Sequence, residues 1–372
     1  MSSQPRPQTL PIHQAALRGD LGAVLAELVG GADIDAPSSN GNRPLHLAVT
    51  AANLLLVQRL LELGAKPNVR NRQGLTPLHL AARNGAIDLA QTLLSARAKI
   101  DTRGSLQFIV QQFPTPLFLA IEARQTAMAA FLLQHGADPN LLCSGIGETA
   151  LVMAARQGDA ELVRMLLQHG ALANGVDGGD GMPPATRPLE VAGSGAVARL
   201  LLTAGAQVDA ANADGEWPAY WLAAAHPRDR PRLAALAWLL RAGADPLART
   251  RNGCTPLQRV RSPDAMRLLR LAIVRWQRRY PQSRFSALQQ ARAALLSLCE
   301  EDGEAVRLAQ LELLRMPHID VRSRNQDGRT ALQLLQRRQL GGEMDRDEAR
   351  VLQRLIARLQ WLEQAGEALS PT

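Results

Sequence analysis

Apolar positions along this chain recur at helical spacing in short paired blocks rather than in long runs. Leu78, Ala81 and Ala82 lie on one helical face. After Gly85 a second face follows, formed by Ile87, Leu89, Ala90, Leu93 and Leu94. Thr76 stands where the first helix begins and can cap its free N–H groups, and Pro77 fits the first helical position, where a missing N–H costs nothing. Gly85 supplies the left-handed stop that ends the first helix. Two helices of this size cannot bury their apolar faces alone, so neighbouring pairs must complete each other's cores.

The block repeats. Pro11, Pro44 and Pro77 are spaced 33 residues apart, and Pro116, Ala150, Pro188, Pro218 and Pro256 continue the series at intervals of 30 to 39. Gly-Ala pairs at Gly31-Ala32, Gly64-Ala65, Gly136-Ala137, Gly170-Ala171, Gly205-Ala206 and Gly243-Ala244 keep the same count at the ends of the second helices. The opening Thr76-Pro77-Leu78-His79-Leu80-Ala81, at this period, resembles the ankyrin repeat. The resemblance implies an all-α fold: an ankyrin-repeat solenoid of stacked helix-turn-helix units with β-hairpin fingers, in about eight to ten repeats. The arginine density fits a bacterial member of that family.

The expected organisation is an N-terminal tail over 1–8, a solenoid over 9–270, divergent ankyrin-like repeats with a C-terminal helical cap over 271–364, and a tail over 365–372. The cap is read from Val351, Leu352, Leu355, Ile356, Leu359 and Leu362, apolar on one side of a terminal helix. Departures from the repeat are informative. The second repeat has Ala51-Ala52-Asn53 at its first helix end, where Asn53 is expected to replace the left-handed glycine. An insertion over 103–113 falls at a finger. Its Phe108 and Val110 either pack on the next finger or form a protruding apolar arm. The glycine- and aspartate-rich finger near 174–181 has no calcium-loop spacing and reads as a turn.

Composition narrows the function. The sequence contains no His-Glu-x-x-His, Gly-x-Ser-x-Gly or Walker-type pattern, and most of its histidines sit at repeat openings or helix ends. The expectation is therefore a protein that is not an enzyme and carries no cofactor or metal. Cys143, Cys254 and Cys299 show no paired or metal-like spacing, which favours a reducing compartment. No apolar run is long enough for a transmembrane segment, and residues 1–8 lack the apolar core of a secretory signal. A cytoplasmic location is the default, with leaderless secretion as an effector the other option.

Net charge is +8, carried almost wholly by arginine. It is unevenly spread: residues 249–292 hold eleven arginines against the single Asp264. Leu269, Ile273, Trp276 and Tyr280 share one helical face there, with arginines around them. Two readings stand, a core-facing stripe with solvated arginines or an anion-binding surface centred on Arg270, Arg275, Arg278 and Arg279. Such a surface would take an acidic protein segment, nucleic acid or anionic membrane.

The ankyrin resemblance implies a non-catalytic scaffold, adaptor or inhibitor that binds another protein on its concave face. Family contacts come from finger tips and the C-terminal ends of first helices. On this chain those positions include Arg18, Arg70, Arg72, Arg83, Asn84, Phe108, Arg156 and Gln157.

Overall fold

The computed structural model describes residues 11–104, 114–143, 148–176, 186–212, 215–226, 228–299, 304–316, 321–339 and 346–368. The insertion residues 105–113, with Phe108, and the glycine-rich stretch 177–185 lie outside them. Among the described residues the regular structure is helical, and the one β-bridge pairs Arg324 with Thr330.

The chain divides into two compact units, Met1–Ala154 with Glu161–Thr186, and Ala155–Ala160 with Arg187–Thr372. The first contains α1 (Pro11–Arg18) and α2 (Leu21–Val29), α3 (Pro44–Thr50) and α4 (Leu54–Glu62), α5 (Pro77–Asn84) and α6 (Ile87–Ser95), and α7 (Pro116–Glu122) and α8 (Thr126–Gln134). Next come α9 (Ala150–Gln157) and α10 (Ala160–Gln168), where the two units meet in sequence. The second unit continues with α11 (Gly195–Thr203), α12 (Pro218–Ala223), α13 (Arg230–Ala242), α14 (Pro256–Arg259) and α15 (Pro263–Arg279). It ends with α16 (Arg284–Leu298), α17 (Glu304–Leu313), α18 (Ala331–Gln339) and α19 (Arg346–Ala368).

Packing follows helix order by twos. In the first unit α1 packs on α3, α3 on α5, and α5 on α7. In the second, α11, α13, α15, α17 and α19 form one continuous row, and α12, α14 and α16 form another. Each layer thus buries its apolar stripe on the next layer of the same kind. Leu45, Leu56 and Leu78 are fully buried, each contributing about 2 kcal/mol relative to exposure. This is the nearest-neighbour arrangement of a repeat stack.

Local departures have local causes. The sixth repeat lacks a first helix: Pro188–Val191 forms a turn, and Gly193 N–H donates to the Ala155 carbonyl at 2.8 Å. A side chain on Gly193 would meet the Arg156 carbonyl oxygen at 2.6 Å, so only glycine permits this approach. In the second repeat Ala52 (φ 53°), not Asn53, adopts the left-handed conformation. Asn53 has φ −93° and caps α4, its Oδ1 accepting from Leu56 N–H at 2.9 Å. Its Nδ2 donates to the Gly19 carbonyl, a second reason its backbone stays extended. Arg124 (φ 56°) fills the corresponding place after α7.

The finger before α5 is a tight turn. Asn71 N–H donates to the Leu75 carbonyl at 3.0 Å, and Asn71 Oδ1 accepts from the Gln73 and Leu75 N–H groups. The arms are too short to pair as strands, so a side chain closes the turn instead. The base of the 105–113 insertion is closed by Gly104 N–H to the Pro114 carbonyl at 2.8 Å. Residue 270 lies within α15, and α19 runs past 364 to Ala368. The terminal helix buries Val351, Leu352, Leu355, Ile356 and Leu359, while Leu362 is half-buried.

Candidate functional site

Two sets of side chains fix the fingers, one to the helices and one to each other. His46 Nε2 donates to the Leu75 carbonyl at 3.0 Å, and His79 Nε2 to the Pro114 carbonyl at the same distance. The other ring nitrogen accepts from its own helix entry: Arg43 N–H to His46 Nδ1, and Thr76 N–H to His79 Nδ1. A neutral ring satisfies both demands, and burial holds each pKa down at about 4. Nearby cations, Arg43 for His46 and Arg70 for His79, add a smaller part of the same lowering. His13 makes the corresponding link to the Ala36 carbonyl at 2.8 Å.

The second set was not legible as a site in the sequence. Asp35 Oδ1 accepts from Lys66 N–H, Asn68 from Lys99, Asp101 from Asp138 and Asn140 from Leu172. In the second unit Asp209 accepts from Asp245 in the same way. In these five fingers one Asp or Asn holds the next finger. Its sequence signal is a short carboxylate or amide at the repeat period. Burial raises the pKa of Asp101, Asp209 and Asp245.

Among the described residues, the predicted partner-binding arginines and Asn84 are exposed, and Phe108 lies outside the described residues. Arg83 and Asn84 close α5, Arg18 closes α1, and all three are exposed. They stand on the first and third first helices of one packed row, with α3 between, a span of about 20 Å at ordinary helix spacing. Arg70 and Arg72 are exposed on the finger leading to α5, and Arg72 N–H donates to the Asn40 carbonyl of the preceding finger. The stem of Arg72 lies over Gly41, where φ is 71°. Arg156 and Gln157 close α9, the first exposed and the second half-buried.

The arginines predicted for anions separate into two groups. Arg270 is half-buried and pairs with Glu312 of α17 at 3.7 Å, so its charge is engaged within the second unit. Arg275, Arg278 and Arg279 are exposed. Of the apolar stripe between them, Leu269 and Ile273 are buried core, whereas Trp276 and Tyr280 are half-buried and lie ring to ring at 4.6 Å. Arg279 lies 5.6 Å above the Tyr280 ring.

A further cluster escaped the sequence reading. Arg259 of α14 lies 5.1 Å from the Tyr220 ring and 5.0 Å from the Trp221 ring, both on α12. Trp221 and Arg259 each occupy the fourth position of their helix, so register alone puts them side by side. Among the described residues no helix is long and apolar enough to cross a membrane, and no group of His, Cys, Asp and Glu could hold a metal ion.

Comparison with known proteins agrees with this geometry. Residues 12–104 and 107–177 match the family model for ankyrin repeats, in three copies. Over 59 residues, 16% of its length, the chain is 39% identical to the potassium channel AKT3 of Oryza sativa subsp. japonica. Over 147 residues, 39% of its length, it is 33% identical to the nuclear factor NF-kappa-B p105 subunit of Gallus gallus. The chain spans only 6% and 14% of these two relatives' own lengths. The crystal structure of the human ASB11 ankyrin repeat domain superposes with a TM-score of 0.50 at 24% identity, covering 61% of this chain and 96% of that domain. That likeness is one of fold.

Proposed function

This chain is an ankyrin-repeat protein, a class whose repeats generally mediate protein–protein interaction, and we propose that it is a non-catalytic scaffold, adaptor or inhibitor that binds one protein partner. The observation that carries this reading is the exposed polar set Arg83, Asn84, Arg70 and Arg72 on one helix end and one finger of a single repeat. The frame beneath it is rigid, because His79 and Asn71 hold that finger and helix in place. Side chains ordered before contact reduce the entropic cost of association. Arg18, Arg156 and Gln157 extend the same kind of surface on other repeats, and Phe108 is retained as part of it from the sequence alone. The proposed setting is a reducing compartment such as the cytoplasm, in keeping with three free thiols.

The test is affinity capture from source-cell lysate treated with nuclease, using the full chain. A discrete protein partner is expected to be retained by wild type and lost with Arg83→Glu together with Asn84→Ala. Capture unchanged by that pair, with loss only on Arg275→Ala, Arg278→Ala and Arg279→Ala, would overturn the reading in favour of an anion surface on α15.

A further inference from the structure

The second unit carries a basic and aromatic face whose residues differ from those of α5 and its finger. Tyr220 and Trp221 stand edge to face, with ring planes at 81°. Arg259 fills the corner between them, and its Nη1 donates to the Tyr220 hydroxyl at 3.5 Å. Tyr220 is buried, whereas Trp221 remains 39% exposed and Arg259 half-exposed, so the surface of the cluster is formed by Trp221 and Arg259. On the finger leading into α14, Arg249 and Arg251 are exposed. Their backbone is fixed, because Trp217 Nε1 donates to the Arg249 carbonyl at 3.2 Å. From 249 to 261 the sequence has four arginines and no carboxylate.

Asp209 and Asp245 line a recess beside Arg249, yet each already accepts a backbone N–H, from Asp245 and Leu247 respectively. Arg261 caps the Gln258 and Val260 carbonyls. The outward cations are therefore Arg249, Arg251 and Arg259. A guanidinium stacked on rings keeps its N–H edges in a fixed plane, the geometry that grips a carboxylate with two parallel hydrogen bonds. Stacking nucleic-acid bases needs open ring faces in series, but Tyr220 is buried and Arg259 already lies 5.0 Å from the Trp221 ring.

We infer that the face formed by Trp221, Arg259 and the Arg249–Arg251 finger docks an acidic segment of a protein partner, with a carboxylate on Arg259. The inference rests on the scaffold reading and names the chemistry of its partner.

The test measures fluorescence anisotropy of a labelled decaglutamate peptide titrated with the full chain, beside a decaglutamine peptide and a ten-nucleotide oligothymidylate. Decaglutamate is expected to bind, decaglutamine not to bind, and added salt to weaken the binding. Arg259→Gln should weaken it about tenfold, and Arg259→Lys, which keeps charge but not the fork, by less. Arg354→Gln, at an exposed site on α19, should leave it unchanged. Should Arg259→Gln lose its helical circular dichroism, the lysine variant decides alone. Equal binding of decaglutamate and decaglutamine, or equal effects of the Arg259 and Arg354 changes, overturns the inference. Tighter binding of oligothymidylate with the same Arg259 dependence assigns the face to nucleic acid and also overturns it. A partner captured from lysate through Arg83 without decaglutamate binding sinks this inference and leaves the scaffold reading standing. Decaglutamate binding without any captured partner does the reverse.

Discussion

The imidazole of His79 joins two repeats: Nδ1 accepts the Thr76 N–H at 3.1 Å, and Nε2 donates to the Pro114 carbonyl at 3.0 Å. The ring is fully buried, so protonation would strand a charge and turn an acceptor into a donor facing another N–H. The frame that carries the Arg83 helix end and the Arg70–Arg72 finger therefore depends on neutral histidines.

That dependence has a defined pH window. His46 and His79 are held near pKa about 4 in the fold against 6.5 when unfolded. Above pH 6.5 both states are neutral and the full stability is present. As pH falls from 6.5 toward 4 the unfolded chain takes up the protons first, costing about 3 kcal/mol per histidine by the end of the window. Urea titrations of wild type and the His46→Gln, His79→Gln double variant across pH 7 to about 4 should show the variant losing much less. Parallel losses would remove the histidines as the cause.

Glu190 behaves in the opposite sense. It stands at the repeat position of His79, is buried, and its pKa is raised by burial to about 7 from an ordinary 4.5. The native state then holds a proton that the unfolded state has released, so this residue costs stability as pH rises through that interval. Gln258, at the same position, accepts the Thr255 N–H with its amide oxygen and carries no charge. Glu190→Gln should therefore stabilise the protein by about 2 kcal/mol at pH 8 and by almost nothing at pH 4, read from denaturant midpoints.

Ala52 is an alanine doing a glycine's task. At φ 53° it bears the left-handed penalty that Gly85, at φ 71°, avoids. Ala52→Gly should raise stability by about 1 kcal/mol, whereas Gly85→Ala should lower it by more. The second change also drives a methyl to 2.4 Å from the Gln125 side chain. Thermal melts of the two variants should move in opposite directions.

Gly193 tests the repeat that lost its helix. A methyl there would collide with the Arg156 carbonyl and with the Gly158 N–H, both backbone groups with little room to yield. Gly193→Ala should destabilise by about 2 kcal/mol. Because repeat stacks unfold by neighbouring layers, hydrogen exchange should quicken first in the layers carrying Gly158 and Gly193.

Much of the fold was readable because each of its signals is local. Thr76, Pro77, His79 and Gly85 declare a helix start and stop within ten residues, and the 33-residue period repeats that declaration. Past Pro256 the period fades in sequence, yet α15, α17 and α19 continue the same packed row. Buried stripes such as Leu269 with Ile273 carry that row without any opening motif.

The candidate surface was half readable. Positions at helix ends and finger tips follow from register, so Arg83, Asn84, Arg70 and Arg72 could be named from the sequence. Which charges face water could not. Arg270 and Arg275 look alike in sequence, and only the packing of α17 beside α15 brings Glu312 to the first and leaves the second exposed. Likewise, Trp221 and Arg259 are 38 positions apart in the chain and meet only because α12 and α14 stack in register. The sequence by itself determined the repeat, its helices and the residues offered at their ends, because those depend on backbone conformation and short-range spacing. The tertiary structure decided which side chain holds each turn and which arginine is paired. Hydrogen bonds and ion pairs between layers depend on distances that no local pattern encodes.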